Sequence, residues 1–448
     1  MLVFFLVPLY TAVLSTAEYG TYDIVISTIT LLIPIFTFNI SDGVLRFSMD
    51  DDLDVVQVAH IGIGVVLLSS IFVTLLTLTP FTPWRNIDGI EFVALIYFFT
   101  AMHQVLICLA RGLEKMKLVA LAGIISAVFL VGFNIVFLLC LNMGLFGFYS
   151  ATVISYGIPV LFLLFAMRNI LFFKPVKKKK KLVLSMVRYS FPLAATVLGW
   201  WLINTSDKYI VLYFCGSEAN GLYSIAYQIP AILNTIAGIF LQAWQVTAVK
   251  EFDKNDTDGF LLQVFNIVEM IMVLACSLMI ILSPVFADFL FSGDFYLAWI
   301  FVPLLLVYAV LNTMSGMWAP FFSVNLDSKP IAISTFLGGL VNIILGIPLV
   351  FLLGIYGAVL SSVVAGFVNW VYRGLKSRKY IVNHFHLKKS FCLYLLLVIQ
   401  ATVMMLNTPS FFSIILQFAI FFSFIFCFRK NMKSGFYYFR SIVKRGDN

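Results

Sequence analysis

The run Trp200-Trp201-Leu202-Ile203-Asn204-Thr205-Ser206-Asp207-Lys208-Tyr209-Ile210 sets a carboxylate beside an ammonium in a stretch otherwise free of charge. On a helix, Trp200, Asn204, Asp207, Lys208 and Val211 fall on neighbouring positions of one face. A lysine at the centre of a membrane helix costs roughly 2.5–3.5 kcal/mol, so it needs a wet cavity or a partner. One reading makes Lys208 a cation lining the path of an anionic substrate. The competing reading has Lys208 snorkelling outward beside Asp207 and merely fixing helix depth.

A second constellation is Asn39-Ile-Ser-Asp42-Gly-Val-Leu-Arg46. Asp42 and Arg46 are spaced i, i+4 and can pair on one face. A guanidinium makes bidentate contacts to phosphate oxygens, so Arg46 is a candidate to meet a phosphate arriving from the cytoplasm. Its alternative is a charged flank with a local salt bridge. Glu269 has no sequence-local partner; it is either a site for a coupling proton or cation, or a buried carboxyl joining two helices. Gln228, Asn234, Gln242, Gln245, Asn312, Asn342 and Asn369 are mid-span amides. Singly each reads as helix–helix glue; together they suit a cavity that accommodates sugar hydroxyls.

The elements that must position these groups follow from composition. The chain is 62% hydrophobic and 11% charged, against about 25% charged in a soluble protein. Apolar stretches of bilayer-spanning length fall near 1–14, 22–38, 55–78, 92–110, 118–140, 145–167, 191–213, 221–246, 260–282, 298–317, 331–352, 355–372, 390–407 and 410–428. That predicts an all-α membrane protein of about fourteen helices. The first stretch covers only about 21 Å as helix, short of a bilayer core of about 30 Å. It is therefore expected either to be half-inserted or to begin upstream of Met1. It has no basic leader or small-residue cleavage site to make it a signal peptide.

Charge placement predicts the orientation. With Ser15 to Thr21 outside, the inner connections take every Lys and Arg except Arg85 and Lys208, which is 27 of 29. Both termini are then cytoplasmic. The net charge of +8 needs no nucleic acid to explain it, and the Lys177–Lys181 run reads as an anchor facing anionic lipid. Chemistry of other kinds lacks its residues. The six cysteines form no Cys-x-x-Cys pair, and His60, His103, His384 and His386 are scattered, so no metal or other cofactor is expected. No phosphate-loop lysine motif is present for ATP hydrolysis. Asp88, Glu91, Asp288 and Asp294 read as solvated rim carboxylates rather than an acid/base pair, and the outer connections are too short for a catalytic domain. No enzyme is expected.

The chain also repeats itself. Gly20, Tyr22 and Ile24 recur 201 positions later as Gly221, Tyr223 and Ile225, and Gly144-Leu-Phe-Gly147 recurs 210 positions later as Gly354-Ile-Tyr-Gly357. Two tags in the same order predict parallel halves related by an axis along the membrane normal. The expected organisation is a six-helix lobe over 1–168, a basic linker over 169–188 and a second six-helix lobe over 189–372. A basic loop over 373–389, an extra helix pair over 390–428 and a basic tail over 429–448 follow.

Ser206-Asp-Lys-Tyr-Ile-Val-Leu212 followed by Gly221-Leu-Tyr-Ser-Ile-Ala-Tyr227 resembles a stretch of bacterial polysaccharide flippases of the multidrug/oligosaccharidyl-lipid/polysaccharide exporter superfamily. Leu14-Ser-Thr-Ala-Glu-Tyr-Gly-Thr-Tyr22, running on to Val44-Leu-Arg-Phe47, looks like the first two helices of that family. The resemblance implies a two-lobed alternating-access carrier of the bacterial cytoplasmic membrane. Its substrate would be an undecaprenyl-pyrophosphate-linked oligosaccharide unit for O-antigen, capsule or another surface glycan, and its partners a polysaccharide polymerase and chain-length proteins. Family members line the cavity with basic residues, a role that Lys208 and Arg46 match. Members have a complete first helix, so about a dozen residues look absent here. The alternatives are a cation-coupled drug or metabolite antiporter of the same superfamily, which needs carboxylates such as Asp207 or Glu269, and a membrane glycosyltransferase or polymerase.

Overall fold

A computed structural model describes residues 6–50, 52–78, 89–171, 180–381, 387–406 and 413–429. Arg85, Asp88, Lys177, Lys178, Lys179, His384, His386 and the tail beyond Arg429 lie outside the described residues. All regular elements described are helical. In chain order they are α1 (Val7–Val13), α2 (Thr16–Thr37), α3 (Ile40–Ser48), α4 (Val55–Leu78), α5 (Ile90–Gly112), α6 (Met116–Asn134), α7 (Gly144–Ala166) and α8 (Arg168–Leu171). There follow α9 (Lys180–Ala226), α10 (Gln228–Lys250), α11 (Phe260–Leu290), α12 (Val302–Gly316), α13 (Ala319–Val324), α14 (Lys329–Leu353), α15 (Ile355–Ser377), α16 (Leu387–Leu406) and α17 (Ser413–Arg429).

Among the described residues, eleven helical stretches are long and apolar enough to cross a bilayer, which makes the chain a multi-pass integral membrane protein. One of them, Lys180–Lys250, holds two of the expected spans as α9 and α10. The expected fourteen are not reached among the described residues. Helix α1 runs for 7 residues, and α17 is a shorter apolar helix. Packing divides the chain into two compact units, Met1–Thr205 and Ser206–Asn448, with the division inside α9.

In the first unit, α2 opens on a capping box: the Glu18 amide donates to Ser15 Oγ at 3.2 Å while Glu18 Oε2 accepts from the Ser15 amide at 2.8 Å. It ends at Phe38 and Asn39, both left-handed with φ of 51° and 53°. Asn tolerates this region and Phe does so at a cost, so the turn is imposed by packing. The chain emerges as α3, a separate short helix carrying Asp42 and Arg46. Small residues let α3 sink among its neighbours. A Cβ on Gly62 of α4 would meet Val44 Cγ2 at 2.5 Å, and one on Gly112 of α5 would meet Ser48 Oγ at 1.8 Å. Close approach of this kind replaces the hydrophobic effect as the association force where the solvent is lipid.

The repeated Gly-x-x-Gly tag has a structural cause in both units. Gly144 and Gly354, with φ of 53° and 60°, make the left-handed turns into α7 and α15. The second glycines allow close approach: a Cβ would lie 2.9 Å from Met143 Cβ at Gly147 and 2.1 Å from the Leu349 carbonyl oxygen at Gly357. The tag therefore records two tight hairpins, α6–α7 and α14–α15.

In the second unit, α9 is broken at Gly216, whose φ of 86° and ψ of 178° only glycine adopts readily. Helix α12 is its centre, with Leu304, Leu305, Leu306, Val307, Val310 and Leu311 all buried. The C-terminal pair is fastened by amides. Ser277 Oγ of α11 donates to Gln400 Oε1 of α16 at 2.7 Å, and Gln417 Nε2 of α17 donates to the Gln400 carbonyl at 3.1 Å. Arg373 corrects the charge-based reading, which put it at the start of a cytoplasmic loop. It lies within α15, 4% exposed. Its Nε donates to Ser334 Oγ at 2.7 Å, Nη1 to the Ser315 carbonyl at 3.2 Å and Nη2 to Thr335 Oγ1 at 3.0 Å. Neutral oxygens on α12 and α14 satisfy the guanidinium, so helix continues where the charge pattern implied a loop.

Candidate functional site

Asp207 is 2% exposed on α9, in a unit whose buried residues include two further charged side chains, Glu269 and Arg373. Its Oδ2 collects hydroxyls from three directions. Tyr223 Oη donates at 2.5 Å, Ser362 Oγ of α15 at 2.9 Å and Tyr227 Oη at 3.5 Å. The two phenols are themselves 2.9 Å apart. Oδ1 is buried and has no hydrogen-bond partner among the described residues. A carboxylate in hydrocarbon is tolerated only when paired or neutralised. Here hydroxyls solvate one oxygen and leave the other without a hydrogen bond.

The two sequence repeats converge on this group. Tyr223 is Tyr22 displaced by 201, and Ser362 is Thr152 displaced by 210. In the first unit, Tyr22 Oη and Thr152 Oγ1 hydrogen-bond each other directly at 2.9 Å. The offset of 201 that relates the tyrosines carries Asp207 back to Leu6, which is buried at 3% exposure. One hydroxyl pair is thus present twice, closed in the first unit and bound to a carboxylate in the second. Ser362 carried no local sequence signal, and only the second tag's offset could have pointed to it; Tyr227 stood only at the end of the stretch that carries the family resemblance.

The other expected residues are dispersed. Lys208, next to Asp207, is half-buried. Asn204 is exposed and its Nδ2 donates to the Trp200 carbonyl at 2.8 Å. Gln228 opens α10, half-buried beside Tyr227. In the first unit, Asp42 accepts from Asn39 Nδ2 at 2.7 Å instead of pairing with Arg46. The left-handed turn at Asn39 aims that amide at the carboxylate, and Arg46 is exposed on α3. Glu269, 1% exposed, accepts from Tyr394 Oη of α16 at 2.7 Å. It is therefore part of the helix contact that holds the C-terminal pair. Among the described residues no group of three His, Cys, Asp or Glu side chains is arranged to hold a metal.

The family model for polysaccharide biosynthesis proteins matches residues 1–245, more than half of the 448. The chain belongs to that family. Among curated protein sequences none matches it significantly. Solved structures show what this family member's fold is similar to. A structure of the lipid II flippase MurJ in an inward closed conformation has a TM-score of 0.62 at 15% identity, covering 99% of this chain and 100% of that one. An inward-facing multidrug-resistance MATE transporter has a TM-score of 0.65 at 15% identity, covering 85% and 95%. A transporter from Pyrococcus furiosus gives 0.54 at 14% identity, covering 84% and 92%. The chain has the fold of the transporters of the MOP superfamily, to which the latter two belong.

Proposed function

We propose that this protein is a flippase that carries an undecaprenyl-pyrophosphate-linked oligosaccharide repeat unit from the inner to the outer leaflet of the bacterial cytoplasmic membrane. The reading is supported by membership in the polysaccharide biosynthesis family together with a fold similar to that of a lipid II flippase. The single observation that carries the mechanism is Asp207, a buried carboxylate added to a duplicated hydroxyl pair.

Both termini face the cytoplasm, and a polysaccharide polymerase with its chain-length proteins uses the product. Access alternates between the two sides while the polyprenyl tail stays in lipid. Lys208 and Arg46 attract the pyrophosphate. The membrane potential, negative inside, favours outward movement of the anionic head group by about 2.3 kcal/mol per charge per 100 mV. A proton or monovalent cation on Asp207 Oδ1 supplies the coupling, because filling that position changes the charge of a buried site. A cation-coupled drug antiporter would use the same carboxylate, so Asp207 does not separate the two; the substrate does.

Deletion of the gene tests the reading. Loss of surface polysaccharide with lipid-linked units trapped on the cytoplasmic leaflet supports the flippase. Units that reach the outer leaflet but stay unpolymerised would move the assignment to a polymerase, and normal polysaccharide would leave the antiporter.

A further inference from the structure

Helix α10 has three faces of different chemistry. At about 100° per residue, Leu233, Ala237, Trp244 and Ala248 share one face, and all four are buried. Ile236, Ile239 and Phe240 form a second, exposed at 59%, 61% and 37%. Asn234, Gln242 and Gln245 form a third with Gly238 between them. The three amides are exposed and make no hydrogen bond to other described residues. Nothing lies within 4 Å of where a Gly238 Cβ would stand.

The apolar exposed face suits lipid and the amide face does not. Placing an unpaired amide in hydrocarbon costs about 2–7 kcal/mol, and three are aligned here, so this stripe meets water or a polar ligand. It contains no charge, which makes it a poor match for a pyrophosphate. Each amide offers donors and an acceptor together, the complement of vicinal hydroxyls. From Asn234 to Gln245 the stripe runs about 16 Å along the axis, long enough for several groups in a row.

Resting on the polysaccharide-carrier reading, we propose that Asn234, Gln242 and Gln245 are the sugar-binding surface of the protein. They hydrogen-bond the hydroxyls of the oligosaccharide while Gly238 leaves room for its rings. The ligand class is a neutral polyhydroxylated chain, distinct from the anionic head group assigned to Lys208 and Arg46.

The test is single cysteine replacement in the full chain: Asn234→Cys, Gln242→Cys and Gln245→Cys, with Ile236→Cys and Ile239→Cys as lipid-side controls. Labelling by a charged methanethiosulfonate is followed in reconstituted membranes against the unsubstituted protein, whose own cysteines set the background. Positions 234, 242 and 245 should label and positions 236 and 239 should not. Adding the lipid-linked oligosaccharide extracted from the parent strain should slow labelling several-fold, whereas undecaprenyl pyrophosphate without sugar should leave it unchanged. Equal labelling of both faces, equal protection by the two lipids, or no protection by either would overturn the proposal. The flippase reading fails separately, by normal transfer of lipid-linked units in the deletion strain, and protection by sugar would survive that failure.

Discussion

Tyr223 donates a 2.5 Å hydrogen bond to Asp207, whereas its repeat counterpart Tyr22 bonds Thr152 in a unit that has Leu6 where the carboxylate would be. The duplicated frame is kept and one titratable group is added. Asp207→Asn preserves an acceptor for the hydroxyls of Tyr223 and Ser362 but removes the charge. It is expected to fold and to abolish coupled translocation. Ser362→Ala, which removes a hydrogen bond to a charged acceptor worth about 1.5–3 kcal/mol, should weaken cation dependence about tenfold or more. Tyr22→Phe should cost about 1 kcal/mol of stability with transport unchanged, read as export of surface polysaccharide against thermal stability.

Lys208→Ala should lower export while Lys208→Arg retains it, measured as surface polysaccharide per cell at matched protein level. Normal export by the alanine variant would remove Lys208 from the substrate path.

Glu269 behaves as a helix contact in this account. Glu269→Gln keeps an acceptor for Tyr394 and should transport normally. Glu269→Leu orphans the Tyr394 hydroxyl at a cost of about 1–3 kcal/mol, and adding Tyr394→Phe should recover part of it. Loss of transport in a well-folded glutamine variant would instead make Glu269 a coupling group.

Arg373 is held by three oxygens spread over α12 and α14, a fork that a lysine cannot match. Arg373→Lys and Arg373→Met should both lower the midpoint of thermal unfolding, the latter more, because it removes three hydrogen bonds from a charged donor, each worth about 1.5–3 kcal/mol. Gly357→Ala should destabilise strongly, because its Cβ would strike the Leu349 carbonyl oxygen, whereas Gly238→Ala, inside α10 with open space, should stabilise by up to about 1 kcal/mol.

Asp327, in the connection before α14, accepts from the Tyr380 hydroxyl, which with the Lys329 amide and nearby lysines holds its carboxyl below the ordinary value of 3.8. A depressed carboxylate contributes stability that is present above its unfolded value and is lost as pH falls through the folded one. Hydrogen exchange over residues 325–329 should therefore be flat from pH 7 to about 4 once corrected for intrinsic rates, and rise below that. Asp327→Asn should remove the step.

Much of this was legible in residue order. Apolar runs and charge placement mark the spans because lipid forbids unpaired backbone and charge at depth. The two copies of the Gly-x-x-Gly tag locate hairpins because glycine is required both for the left-handed turn and for close approach. Ser362 was hidden since a lone serine in an apolar helix has no period, and only its offset from Thr152 relates it to Tyr223. The break after α2 was hidden because Phe38 and Asn39 reach the left-handed region through packing, with no glycine to mark it. Arg373 misled because a rule that assigns arginine to loops has no term for hydroxyls that satisfy it in a helix.

The most direct measurement is transfer by the purified protein in liposomes carrying the lipid-linked oligosaccharide in one leaflet, followed by its exposure to a membrane-impermeant glycosidase. Intact protein should expose the oligosaccharide steadily under an imposed cation gradient, and Asp207→Asn should leave it protected. Exposure no faster than in protein-free liposomes would contradict the flippase, and equal rates for both proteins would contradict the role of Asp207.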